Sequence, residues 1–180
     1  YRLLGGPLRT RLRGYASDWL EGITTPQRAY EGAREAVQRG FSAFKWSPFN
    51  RTPLRENEAS AISHAAELMA AAREGAGPYT EIFVECGEYL SPRSAILAAN
   101  AFAPYRPGWF EEPIPFENAK AMARLQREMP VPNATGERLL SRWEYRELLE
   151  EGGCKIIQPD LMHAAGITEV HLAVLDPNPL

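Results

Sequence analysis

At 180 residues the chain is long enough for one domain with a sizeable core, or for two very small ones. Its 44% hydrophobic and 24% charged residues are ordinary for a globular protein, and a net charge of −3 without any Lys/Arg-rich run argues against a nucleic-acid partner. No apolar stretch approaches the roughly 20 residues of a membrane span, and Cys86 and Cys154 are too few and too isolated for a disulfide framework or a zinc site; a cytoplasmic location is the expectation.

Strand-like and helix-like segments alternate along the chain. Residues 11–17 predict a short strand. Thr25 at a cap and Pro26 at the first helical position then open a helix to Arg39, which Gly40 closes. Phe41 to Trp46 predict a second strand ending near Lys45, and Glu56 to Glu74, rich in Ala, Glu and Leu, a long helix. Glu81 to Glu85 give the third strand, and Ser91-Pro92 cap a helix through Phe102. Gly108 to Glu111 give the fourth strand, followed by a helix from Glu117 to Glu128. Val131 to Gly136 give the fifth, and Ser141 with Glu144 fits the capping-box pattern of a helix running to Glu150. Lys155 to Gln158 form the sixth, ending at Pro159-Asp160, and Ile167 to Leu175 open a sixth helix.

Six successive βα units with continuous apolar strands predict a parallel sheet covered by helices. A doubly wound sheet collects its chemistry at one switch-point crevice. Here polar residues end strand after strand, which favours a β/α barrel, although a closed barrel typically takes about 250 residues.

Three carboxylate motifs sit at those strand ends: Val84-Glu85-Cys86, Phe110-Glu111-Glu112-Pro113 and Gly136-Glu137-Arg138. From Glu85 to Glu111 is 26 residues, and from Glu111 to Glu137 again 26. One strand, one helix and two loops occupy about 30 residues, so the spacing predicts one carboxylate at each of three successive strand ends. A solitary loop glutamate is ordinarily a solvated side chain; three at regular spacing, each directly after an apolar strand, weigh against that reading. Like charges that converge resist ionisation unless a cation offsets them, and Mg²⁺ favours carboxylate and water oxygens. Strand alternation lets only one of Glu111 and Glu112 face the mouth, and spacing does not choose between them.

Lys45 is placed to act as a general base if burial and a nearby metal lower its pKa; the bland alternative is a lysine reaching solvent. Asp160 is either a turn or cap residue or the carboxylate that orients a histidine. Arg138 can pair with a carboxylate or bind an anionic substrate. His163 lies just past Asp160 in the loop before the sixth helix and is placed either to reach the mouth or, more commonly for such a histidine, to cap or face water. His64, His171, Trp109, Trp143 and Tyr145 read as packing or surface residues, and Gly5-Gly6 as a turn without a phosphate-cradling pattern.

These residues are similar to a known pattern. The chain resembles the enolase superfamily, in its mandelate racemase/muconate lactonizing enzyme branch, and within that the galactonate dehydratase-like acid-sugar dehydratases. The likeness runs from Leu3-Leu4-Gly5-Gly6 through Phe44-Lys45, Glu111-Glu112-Pro113, Gly136-Glu137-Arg138 and Gln158-Pro159-Asp160 to Ala165-Gly166-Ile167. It implies a TIM-type (β/α)₇β barrel, of which residues 1–180 would form a partial barrel domain of about six units, the N-terminal capping domain and last units being absent. It implies Mg²⁺ held by Glu85, Glu111 and Glu137, Lys45 and Asp160 as catalytic residues, and Arg138 and His163 against the substrate. The implied reaction is removal of the proton beside the carboxylate of a sugar acid, a metal-stabilised enediolate, and loss of the β-hydroxyl as water.

The departures carry expectations too. The first ligand in the family is usually Asp, here Glu85. Two residues on, galactonate dehydratase-like members carry a histidine as general acid, and this chain has Gly87. The second lysine of the racemase Lys-x-Lys motif is Ser47. The seventh-strand histidine is missing, and Asp176 to Leu180 break the last helix early. By lineage the chain is a Mg²⁺-dependent lyase that is expected to be inactive alone, an association-prone homo-oligomer with no membrane partner. The alternatives are an inactive remnant, or an epimerase or cycloisomerase using Lys45.

Overall fold

Five strands occur among the described residues: β1 (Ala43–Trp46), β2 (Glu81–Glu85), β3 (Phe110–Glu111), β4 (Asn133–Thr135) and β5 (Ile156–Ile157). They lie side by side in that order, each parallel to the next. Helices α2 (Glu58–Ala76), α3 (Pro92–Phe102), α4 (Ala119–Glu128) and α5 (Arg142–Glu150) connect them, with α1 (Pro26–Gln38) before β1 and α6 (Ile167–Leu175) after β5. A doubly wound sheet reverses its strand order at a switch point. No reversal occurs here, so the sheet winds one way, as the wall of a barrel does. The structure, a computed structural model, describes residues 5–7, 9–49 and 57–175. The expected helix start at Glu56, the Leu3-Leu4 pair and the terminal Asp176–Leu180 lie outside these residues. Among the described residues no helix is long and apolar enough to cross a membrane.

The first expected strand, over residues 11–17, is corrected to a one-residue bridge between Ala16 and Phe44. Ala16 N donates to Ala43 O at 3.1 Å, and Lys45 N donates to Ala16 O at 2.8 Å. The reason is that only the end of the segment packs: Ala16 is buried and Tyr15 meets the aromatic rings of the sheet, whereas Leu12 is 85% exposed. Arg13 is instead tied to Ser42 and Glu81 below the sheet.

Side chains of a strand alternate between its two faces. Phe44, Trp46, Ile82, Val84 and Phe110 point toward the helices and join the core. The opposite face carries Ala43, Lys45, Phe83 and Glu85. There Phe83 stacks flat on Trp109 with ring centroids 3.4 Å apart, and Tyr15 meets both rings edge-on.

The helices close on this sheet through small residues. Ala29, Ala33 and Ala36 of α1 and Ala65, Ala72 and Ala76 of α2 are buried. A Cβ on Gly75 would lie 2.2 Å from Tyr30 O, so the α1–α2 approach requires glycine there. Caps fall where residue chemistry predicts. Pro26 occupies the start of α1, Ser91 Oγ accepts from Ser94 N at 3.0 Å, and Glu144 accepts from Ser141 N at 3.0 Å in the capping box of α5.

Candidate functional site

Cross-strand register builds the site. Glu85, the last residue of β2, is the direct partner of Glu111, the last of β3. Lys45 on β1 is level with Phe83, two residues before Glu85 on the same face. Its long side chain therefore rises to the carboxylates. Nζ donates to Glu85 Oε2 at 3.0 Å and also bonds Glu111 Oε1. The three side chains are only 10%, 12% and 3% exposed for Lys45, Glu85 and Glu111.

The remaining oxygens are taken as well. Glu85 Oε1 accepts from Gly87 N at 2.9 Å. Glu111 Oε2 accepts from the Trp109 indole Nε1 at 2.9 Å and from Gln158 Nε2 at 3.0 Å. Electrostatics follow from this geometry. Burial and the facing Glu111 raise the Glu85 pKa from 4.5 to about 7 against the pull of Lys45. Burial opposes the charge on Lys45, but its bonds and proximity to Glu111 and Glu85 win, and its pKa is pushed up.

The choice between Glu111 and Glu112 is now made. Glu111 faces Lys45; Glu112, buried, turns toward β4. Its φ is +40°, a strained conformation for a residue with a Cβ and one that lies outside the extended region a following proline, here Pro113, favours. Glu112 Oε2 accepts from Thr135 Oγ1 at 2.7 Å, and Oε1 accepts from Gly136 N at 2.8 Å. Burial raises its pKa to about 7 even against those bonds. Gly136 has a φ of +122°, which requires glycine, and its carbonyl accepts from Tyr145 Oη at 2.8 Å.

Glu137 does not join Glu85 and Glu111. In β4 the partner of Glu111 is Ala134, three residues short of Glu137. After the turn at Gly136 the Glu137 side chain is 47% exposed, with Arg138 Nε 4.0 Å away. Arg138 Nε also lies 3.4 Å from Glu88 Oε1. Asp160 is exposed and accepts from Met162 N at 2.6 Å and His163 N at 3.0 Å, bonds that lower its pKa. His163 Nδ1 is 2.9 Å from Glu137 O. One group of expected residues is therefore gathered, Lys45 with Glu85 and Glu111, and a second clusters in the loops, Glu137, Arg138, Asp160 and His163.

Trp109 and Gln158 belong to the site although neither was expected there. Trp109 stands two residues before Glu111, so strand alternation puts both on one face. Gln158 carries no comparable signal, because its contact depends on how β5 aligns with β3.

The model of the family described as "Enolase C-terminal domain-like" matches residues 28–174. The chain belongs to this family. It is 35% identical to D-gluconate dehydratase of Thermoproteus tenax over 168 residues, which is 93% of this chain and 34% of that one. It is 37% identical to D-galactonate dehydratase of Ralstonia nicotianae over 169 residues, 94% of this chain and 43% of the relative. Among solved structures, a member of the enolase superfamily from Salmonella Typhimurium aligns with a TM-score of 0.90 at 28% identity, over 98% of this chain and 51% of that one. An enolase from Agrobacterium radiobacter, bound to sodium and L-malate, aligns with a TM-score of 0.83 at 32% identity, over 96% and 44%. The chain thus spans less than half the length of these curated relatives. Its sheet is that of a partial TIM-type barrel of the enolase superfamily.

Mg²⁺ is the ion that the family resemblance implies, and carboxylate oxygens are the right donors for it. The arrangement does not fit it. The Lys45 ammonium stands between two of the three carboxylates, the third faces elsewhere, and each oxygen of Glu85 and Glu111 already accepts a bond. Among the described residues no three His, Cys, Asp or Glu side chains are grouped to hold a metal ion.

Proposed function

We propose that this chain is the barrel portion of an acid-sugar dehydratase, a hydro-lyase acting on an aldonate of the galactonate or gluconate kind. The observation that carries this reading is its likeness, across nearly the whole chain, to two proteins named for that activity. A lysine and two carboxylates buried together at adjacent strand ends support it, since that end of a barrel is where chemistry is built.

Dehydration of an aldonate removes the proton on the carbon next to the carboxylate and the hydroxyl on the carbon beyond. Water leaves, and the enol becomes a 2-keto-3-deoxy acid. Lys45 is assigned to the proton, and Asp160 to orienting a histidine. Arg138, half-exposed beside Glu88, and His163 are assigned to the substrate's anionic and hydroxyl groups. An amine accepts a proton only when neutral, whereas here Glu85 and Glu111 hold Lys45 as an ammonium. Turnover therefore requires those carboxylates to let it go. The family likeness implies Mg²⁺ at Glu85, Glu111 and Glu137, but the present arrangement does not accommodate it, and no step of this reading is routed through it. A cytoplasmic homo-oligomer completes the reading.

A second reading, a non-catalytic relative, is favoured by Gly87 at the general-acid position and by the locked Lys45. Incubation with a panel of aldonates and detection of 2-keto-3-deoxy acids separates the two. No keto product from any aldonate rejects the dehydratase reading for this chain.

A further inference from the structure

The Glu85–Glu111 pair differs from a metal site in one respect that can be followed atom by atom. A divalent ion binds carboxylates through oxygen lone pairs that point into an open space. Here four carboxylate oxygens meet four sets of donors: the Lys45 ammonium on one oxygen of each, the Gly87 N–H on Glu85, and the Trp109 indole with the Gln158 amide on Glu111. The donors come from β1 and from the loops next to β2, β3 and β5, so the satisfaction is built into the sheet's edge at its strand ends rather than into one flexible side chain. Lys45 is itself fixed, because its backbone N–H bonds Ala16 O and its neighbours Phe44 and Trp46 are fully buried. Glu137, which would supply a third carboxylate, lies beyond the Gly136 turn.

We propose that the Lys45 ammonium is the resident cation of the Glu85–Glu111 pair, so that this chain excludes a divalent ion from that seat until Lys45 is removed. The lysine does for the two carboxylates what a metal does elsewhere: it offsets like charges forced together by register. Its seat belongs to the chain's own packing and stands independently of which sugar acid, if any, is turned over.

The test is Mn²⁺ binding at fixed pH, read from the free-ion signal in electron paramagnetic resonance. The unaltered chain is expected to leave Mn²⁺ free, with any affinity weaker than about 1 mM. Lys45→Met vacates the seat and is expected to tighten binding by roughly ten- to a hundredfold, the span of coupling between groups that share partners. Glu85→Gln added to Lys45→Met is expected to abolish that gain. Lys45→Gln, of similar length, serves where the methionine variant fails to fold. Independently of any variant, the Trp109 indole N–H resonance of the unaltered chain reports on the seat, since it bonds the same carboxylate; Mn²⁺ is expected to leave it sharp. Broadening of that resonance by Mn²⁺, or folded Lys45 variants that bind no ion, overturns the proposal. A native Mn²⁺ site would leave the dehydratase reading standing, whereas absent keto product would fail that reading and leave the place of Lys45 intact.

Discussion

Glu85 and Glu111 are direct register partners on adjacent parallel strands, and the carboxylates of both end on the single ammonium of Lys45. Two negative groups and one positive group share a space that water scarcely enters. Such groups contribute little net stability as a set, but removing one member strands the others.

Glu111→Ala tests this. Lys45, the Trp109 indole and the Gln158 amide would all lose an acceptor, and the ammonium would be left with Glu85 alone. Breaking a buried pair in this way costs about 3–5 kcal/mol. Glu85→Gln keeps an acceptor for Gly87 N–H and leaves Lys45 bonded to Glu111, so it should cost roughly 1 kcal/mol. Urea unfolding midpoints at neutral pH measure both. Equal losses for the two variants would refute the central place of Glu111.

Glu112 sets a pH dependence of stability. Its pKa in the folded chain is about 7 against the ordinary 4.5, because burial disfavours its charged form. Between those values the folded chain keeps a proton that the unfolded chain has released, so stability falls as pH rises through that window and levels off above it. Glu85, displaced in the same direction, adds to the fall. For Glu112 the full effect is roughly 3 kcal/mol at 1.36 kcal/mol per pH unit. Glu112→Gln should shrink the slope, since the amide still accepts from Gly136 and the Thr135 hydroxyl can turn to accept. Thermal midpoints from pH 4.5 to 8 give the slope; a variant that retains the parent's slope would count against this account.

Local chemistry was legible in the sequence wherever one segment decides its own structure. Glu81–Glu85, Ser91-Pro92 and the Ser141/Glu144 capping box fall where propensity and caps put them. Register was only half legible. The 26-residue spacing matches the alignment of Glu85 with Glu111, but Ala134, not Glu137, is level with Glu111, and the left-handed turn at Gly136 separates the third motif from the first two. Lys45 was found as a strand-end residue, yet its lock depends on β1 and β2 being two residues out of step, which no single segment encodes. Residues 11–17 had strand-like composition but no partner face for Leu12, and exposure overrode propensity.

Gly75→Ala tests how closely α1 and α2 meet. The added Cβ would fall 2.2 Å from Tyr30 O, backbone that cannot step aside without moving the helix. Overpacking of this kind costs about 1–3 kcal/mol, although alanine is the better helix former. Gly77→Ala, with open space around it but φ +73° and ψ −178°, a region open essentially to glycine alone, should cost about 1–3 kcal/mol from backbone strain alone. A Gly75→Ala protein as stable as the parent would mean that the helices have slack.

Gly87→His asks whether a missing acid is what separates this chain from turnover. Gly87 has a φ of +57°, and a Cβ there would lie 2.7 Å from the Tyr89 ring. The single variant should lose about 1–3 kcal/mol of stability to that strain and crowding. It should gain little activity, because the ring stands where the imidazole must go. Tyr89 is itself 37% exposed, so Tyr89→Ala can clear the space without opening the core. A positioned general acid contributes typically 10²–10⁴-fold. The double variant Gly87→His with Tyr89→Ala should therefore raise formation of 2-keto-3-deoxy acid from an aldonate by roughly 10²-fold or more over the parent if Lys45 can already take the α-proton. Exchange of the α-proton for deuterium, without loss of water, is the companion measurement. Exchange in the parent with water loss only in the double variant identifies the acid as the missing part. No exchange in either identifies Lys45, held as an ammonium by Glu85 and Glu111, as the step that fails first.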